Sequence, residues 1–160
     1  MPIRPSTPAD HEAIWAILEP VFSAGESYAI DPDISREDAL DYWLGTDQES
    51  FVFEQDGAVL GTYYLRTNAG GGGSHVCNCG YITAPAAAGR GIARRMCLHS
   101  LDQARARGYR AMQFNFVVAT NTRAIDLWQT LGFATVGTLP GAFNHPRHGM
   151  VDALVMYQSL

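Results

Sequence analysis

Apolar positions along the chain switch between an extended period of two and a helical period near 3.6, and the switches mark out the elements. Ile3 to Ser6 reads as a short first strand. Thr7-Pro8-Ala9-Asp10 follows, with a capping residue, a proline suited to the first helical position and an acid three residues after the cap, and predicts a helix to about Phe22. Ser23 to Ser35 is too polar and interrupted for a core element and reads as a surface loop. Ser35-Arg36-Glu37-Asp38 is a second capping signal, opening a helix through Tyr42, Trp43 and Leu44 to Gly45. Phe51 to Phe53 and Ala58 to Leu65 flank Asp56-Gly57, a dipeptide that favours a tight hairpin.

Gly70 to Gly73 make a flexible connection to a strand from His75 to Thr83, which Pro85 ends. Gly89 to Arg107 is predicted as a long helix with Ala93, Met96, Cys97, Leu101 and Ala104 as its apolar stripe. Met112 to Val118 is a further strand, and Asn121 opens a short helix that Gly132 stops. Strands around Phe133 to Leu139 and Val151 to Gln158 enclose a loop holding Pro140, Gly141, Asn144, His145, Pro146 and His148. The order β-α-α-β-β-β-α-β-α-β-β predicts an α/β fold, a mixed central β-sheet flanked by helices.

Composition narrows this picture. The 160 residues, 47% hydrophobic and 17% charged, suit one domain spanning 1–160. No signal-peptide or membrane-spanning stretch is evident in the pattern, so a cytoplasmic protein without a membrane partner is expected. A net charge of −5 argues against nucleic acid. All eleven positive charges are arginine, and seven of them fall between Arg90 and Arg123, a local patch that suits either a solvated helix face or phosphate. Cys77, Cys79 and Cys97 lack the four-ligand spacing of a zinc site, and His145-Pro-Arg-His148 lacks metal spacing on a helix, so no metal is expected.

The chemistry concentrates at Pro85-Ala-Ala-Ala-Gly89-Arg90-Gly91-Ile92-Ala93-Arg94-Arg95, where a strand ends, a glycine turn follows and a helix begins. Glycines let backbone approach a phosphate closely, and the first-turn N–H groups of a helix have no internal partners, so a diphosphate is the natural guest. A dinucleotide fingerprint would need a third glycine at Arg94, and a nucleotide-binding P-loop would need a lysine.

Pro-x-x-x-Gly-x-Gly-x-Ala at Pro85 to Ala93 resembles the coenzyme A motif of the GNAT acetyltransferases. Asn121 to Phe133, with its Leu-Gly-Phe ending, is similar to their second motif, and the resemblance covers essentially the whole chain. It implies the GNAT acyl-CoA N-acyltransferase fold and acetyl-CoA as donor. By that resemblance the main-chain N–H groups of Gly89, Arg90, Gly91, Ile92, Ala93 and Arg94 would hold the pyrophosphate. Ile82, Thr83 and Asn121 would contact the pantetheine arm, and a backbone N–H near Gly80 to Ile82 would meet the oxyanion. Two positions depart from the family pattern. Ala88 stands where Gln or Arg is usual, and Trp128 stands where many members carry a tyrosine proposed as general acid.

Asn78 and Asn115 fall in the two strands expected to be central and apolar, where a buried amide without a partner costs about 1 to 3 kcal/mol. Each is therefore expected to meet either neighbouring backbone or a polar group of a substrate. The stretches around Asn78-Cys-Gly-Tyr and Gln113-Phe-Asn115-Phe-Val-Val-Ala-Thr-Asn121 are similar to fungal acetyltransferases of proline analogues such as azetidine-2-carboxylate. That resemblance implies that Asn78 and Asn115 bind the carboxylate of an amino or imino acid, with Asn115 also the catalytic candidate that positions the ring nitrogen. Glu26 and Tyr28, in the family's acceptor-side loop, are further substrate candidates. Direct transfer to a small-molecule amine is expected, because no cysteine has a partner that would make it a nucleophile. A protein or peptide acetyltransferase, an antibiotic or herbicide acetyltransferase and a non-catalytic acyl-CoA sensor stay open as alternatives, as does homodimerisation.

Overall fold

The computed structural model describes residues 2–160. At Asp56 and Gly57 both residues take the left-handed backbone a two-residue hairpin demands, φ 54° and 77°, and join β2 (Gln48–Gln55) to β3 (Ala58–Thr67). β1 (Ile3–Pro5) adds to the outer edge of β2, and β4 (Val76–Thr83) runs antiparallel to β3 on its other side. β5 (Ala111–Val118), β6 (Ala134–His145) and β7 (Gly149–Ser159) complete one seven-stranded sheet in the order β1-β2-β3-β4-β5-β7-β6. Only β4 and β5 are parallel, as expected for strands connected through a helix.

Helices α1 (His11–Ala24) and α2 (Arg36–Leu44) cover one face. Their Ile14, Leu18, Phe22 and Trp43 pack with Val52, Tyr64 and Ile82 of the sheet. Helices α3 (Ile92–Ala106) and α4 (Thr122–Thr130) take the other face, where Met96, Cys97, Leu101 and Trp128 meet Tyr63, Cys77, Met112 and Phe114. The capping signals before α1 and α2 act as the sequence predicts. Ser35 Oγ accepts the Asp38 N–H at 3.1 Å, while Asp10 closes a capping box with Thr7 before α1 and also receives both Nη groups of Arg4 at 2.8 and 2.9 Å. That network holds the Asp10 carboxyl well below the usual carboxylate range, chiefly through the Arg4 hydrogen bonds.

Three expectations need correction. The segment from Pro140 to His145 is not loop but the continuation of β6. A register shift between Leu139 and Phe143 absorbs the proline and glycine, and β6 lies at the sheet edge, where a residue without an N–H is tolerated. The turn is only Pro146 to His148, and His145 is buried. The third helix begins at Ile92 rather than Gly89, because Gly89 and Gly91 adopt left-handed backbone, φ 78° and 74°. The segment 25–35 has no regular element, yet Tyr28, Ile30 and Ile34 pack against the core of the α1–α2 face.

Candidate active site

Parallel pairing between β4 and β5 lasts for two residue pairs, Val76 with Ala111 and Cys77 with Met112, and then stops. Farther along, β5 shifts register against β7 between Phe114 and Val117. The strands splay apart, and the gap is a cleft of about 390 Å³ running between the two faces of the sheet. Tyr28, Tyr42 and Tyr64 line it from the α1–α2 side, and Phe114, Ala124 and Trp128 from the α3–α4 side. Two reactants can thus enter from opposite faces and meet between the strands.

Ile82, Thr83, Asn121, Asn78, Asn115 and Tyr28 all line this cleft, so the structure brings together six of the thirteen residues expected from sequence. Gly89 to Arg94 lie beyond its wall, on the turn that continues from the end of β4. Their six successive N–H groups have no backbone or side-chain acceptor among the described residues, and the first bond of the helix is Arg95 N–H to Gly91 O at 3.2 Å. An added Cβ at either glycine would meet nothing within 4 Å, so it is the positive φ and not crowding that calls for glycine. Arg90 reaches Gln55 at 3.3 Å, and Arg94 is exposed. This row of free N–H groups, at a helix N-terminus flanked by arginines, is suited to a diphosphate. Asn121 stands at the N-cap of α4, but its side chain makes no capping hydrogen bond.

The two asparagines differ, and for Asn115 the expectation of burial fails. Asn78 is buried and bonded: its Nδ2 donates to Gln113 O at 2.9 Å, and its Oδ1 accepts from Tyr64 Oη at 3.3 Å and Arg66 Nε at 3.2 Å. Asn115 is exposed, because β5 leaves β4 before reaching it. It donates to Asn68 Oδ1 at 2.7 Å and accepts from Gln113 Nε2 at 2.8 Å. Both project to the α1–α2 side, opposite the Met112 and Phe114 side chains.

Glu26 does not line the main cleft. It pairs with Arg147 at 3.0 Å, tying the loop after α1 to the β6–β7 turn beside a smaller hollow that also holds His145 and His148. Ser27 and Asn121 line both spaces. Tyr42, Tyr64 and Arg66 line the main cleft without having been singled out from sequence. No sequence signal marked Arg66, because only the β3–β4 register sets it directly opposite Asn78.

Burial pushes the tyrosines Tyr28, Tyr64 and Tyr81 above the usual phenol range, so they act as neutral hydrogen-bonding groups. The Tyr28 hydroxyl donates to Tyr81 O at 3.2 Å. Burial likewise raises the Cys79 thiol and takes Cys97 to about 12, which disfavours either as a nucleophile. The hydrogen bond with Cys79 lowers the Cys77 thiol, but Cys77 is fully buried and does not line the cleft. Trp128 is buried against Tyr81 and Phe114, with ring centroids 5.1 and 5.2 Å away. No cluster of three metal-ligating side chains occurs among the described residues, and no helix there is long and apolar enough to cross a membrane.

Comparison with known proteins agrees with this geometry. The family model described as Acetyltransferase (GNAT) family matches residues 11–133. N-acetyltransferase aca1 of Schizosaccharomyces pombe is 29% identical over 148 residues, covering 82% of this chain and 71% of that protein. A GCN5-related N-acetyltransferase from Kribbella flavida superposes with a TM-score of 0.94 at 42% identity, covering 99% of this chain and 96% of that one. The fold is shared by a phosphinothricin acetyltransferase from Sinorhizobium meliloti in complex with AcCoA, with a TM-score of 0.85 at 21% identity over 99% of this chain and 87% of that one. The splayed parallel strands, the free N–H groups of the glycine turn and these matches together place the chain in the GNAT family, as an acetyl-CoA-dependent N-acetyltransferase.

Proposed function

We propose that this enzyme acetylates the amine of a small amino or imino acid by direct transfer from acetyl-CoA, without a metal. The observation that carries this reading is the cleft itself. Its volume of about 390 Å³ and its lining of tyrosines and three asparagines suit a small polar acceptor better than a protein chain. The resemblance to N-acetyltransferase aca1 supports transfer of the acetyl group to an amine.

Acetyl-CoA supplies the activated thioester. The N–H groups of Gly89 to Arg94 hold its pyrophosphate, assisted by Arg90 and Arg94, while Ile82, Thr83 and Asn121 guide the pantetheine arm into the gap. The β4 edge beyond Cys77 is free of β5, so an N–H between Gly80 and Ile82 is available to the developing oxyanion. On the α1–α2 side, the remaining N–H of Asn78 and the amide of Asn115 receive the acceptor, with Asn115 positioning its nitrogen. Tyr28, held against Phe22 and Trp43, walls that side. The residues lining the cleft include no Asp, Glu or His, so the acceptor loses its proton to water and reacts as the free amine. A place in the cytoplasm, with neither nucleic acid nor membrane as partner, completes the reading.

The test is thiol release from acetyl-CoA with a panel of α-amino acids, cyclic imino acids, simple amines and lysine or N-terminal peptides. Preference for free amino or imino acids supports the proposal. Faster turnover of peptides would select a protein acetyltransferase, and tight coenzyme binding without turnover of any amine would select a sensor.

A further inference from the structure

Five of the eleven arginines meet an acid: Arg4, Arg36, Arg105, Arg107 and Arg147. Arg90, Arg94, Arg95, Arg110 and Arg123 make no ion pair among the described residues, but all five are exposed to water. Arg66 alone has no acid and yet stands half-buried in the wall of the cleft, where it is the single charged side chain. Its Nε–H is taken by Asn78 Oδ1 at 3.2 Å, and its four Nη protons have no acceptor among the described residues. The guanidinium carbon lies 5.1 Å from the centre of the Tyr64 ring and 6.0 Å from that of Tyr42, so two aromatic faces hold its plane.

An unpaired, partly desolvated cation in a cleft without acids is costly unless something anionic completes it, and it repels a cationic amine that lacks such a group. Acetyl-CoA phosphates do not fill the role. Arg66 pairs with Asn78, five residues before Thr83, which sets it about 16 Å along the strand from the end that leads into the glycine turn. It also lies on the α1–α2 side with Tyr64, where the acceptor enters.

We infer that the Arg66 guanidinium is the charged anchor for the carboxylate of the acceptor, and that Asn78 and the Tyr42–Tyr64 pair hold its fork in place. This rests on the reading of the acceptor as an amino or imino acid. The planar fork fits a carboxylate through two parallel N–H bonds, and an anchored carboxylate leaves the amine of an α-amino or imino acid as the group directed between the strands.

The experiment compares wild type with Arg66→Gln and Arg66→Lys, using α-amino and cyclic imino acids, their primary amides and the decarboxylated amines as acceptors, with circular dichroism as the check on folding. Wild type is expected to favour the acids. Arg66→Gln should raise KM for the acids roughly 10- to 100-fold, as for loss of a charge-assisted hydrogen bond, and bring the acid-to-amide preference close to one. KM for acetyl-CoA should stay unchanged. Arg66→Lys, which keeps the charge without the fork, should fall between the two. If wild type demands the carboxylate and folded Arg66→Gln and Arg66→Lys demand it equally, the anchor is wrong while the proposed function stands. If wild type turns over amides and decarboxylated amines as readily as the acids, the reading of the acceptor fails, and the anchor with it.

Discussion

Replacing Gly91 by asparagine and by aspartate separates backbone strain from charge at the glycine turn before α3. Gly91 is the N-cap of α3 with φ 74°, and a Cβ there meets nothing within 4 Å, so neither side chain clashes. Both residues tolerate the left-handed region better than other non-glycine residues and share whatever strain it costs, roughly 1 to 2 kcal/mol at most. They differ only in a negative charge beside the free N–H groups of Gly89 to Arg94. At about 6 Å with an effective dielectric of about 40 to 80, two unit charges repel by roughly 0.7 to 1.4 kcal/mol. A pyrophosphate carrying about two charges should therefore bind roughly 10- to 100-fold more weakly to the aspartate variant than to the asparagine variant. Isothermal titration with acetyl-CoA measures the ratio, which should shrink as salt is added. The aspartate also complements the helix dipole, so its melting temperature should equal or exceed that of the asparagine variant even as its affinity falls. Equal affinities of the two folded variants would refute the placement of the pyrophosphate at this turn.

Three further outcomes are expected. Gly80→Ala would put a Cβ 2.6 Å from the Tyr64 ring, which Trp43 holds edge-on at 4.9 Å, so urea unfolding should show a loss of about 1 to 3 kcal/mol; wild-type stability would show that Tyr64 can yield. Because the native Asp10 carboxyl is held below its ordinary range, its contribution is present at neutral pH and lost as the pH falls through and below about 4. Asp10→Asn should thus cost about 1 to 3 kcal/mol near pH 7 and progressively less in acid, and a gap that does not narrow would contradict the assignment to Arg4. Trp128→Phe should keep kcat within about threefold and lose mainly packing against Tyr81 and Phe114, whereas a thousandfold fall in a folded protein would mean that the indole takes part in the chemistry.

What was legible in the chain was local. Asp56-Gly57 forms its hairpin, Ser35 and Thr7 cap where they were expected to, and the glycine turn before α3 presents its N–H groups, because each depends on residues within a few positions of one another. The run of β-branched and aromatic residues likewise identified β5, although not what its faces would meet. At one place where a local pattern misled, a neighbouring strand had intervened. Pro140 and Gly141 read as loop, yet pairing to β7 extends β6 past them through a shift in register.

The α1–α2 side of the cleft depended on distant partners. Asn78 and Asn115 look alike in sequence, as amides within apolar strands, but the divergence of β4 from β5 after Cys77 and Met112 buries one and exposes the other. Arg66 looks like an ordinary charge near the end of β3, and only the register that sets it opposite Asn78, together with rings brought by α2 and β3, makes it a half-buried cation without an acid. Capping, turns and periodicity follow from short-range sterics and hydrogen bonding, so the sequence by itself determined the elements, their order and the glycine turn before α3. Which side chains share a wall, and which of them lack a partner, follows from how far two strands separate and from the register of a third, and that only the tertiary structure decided.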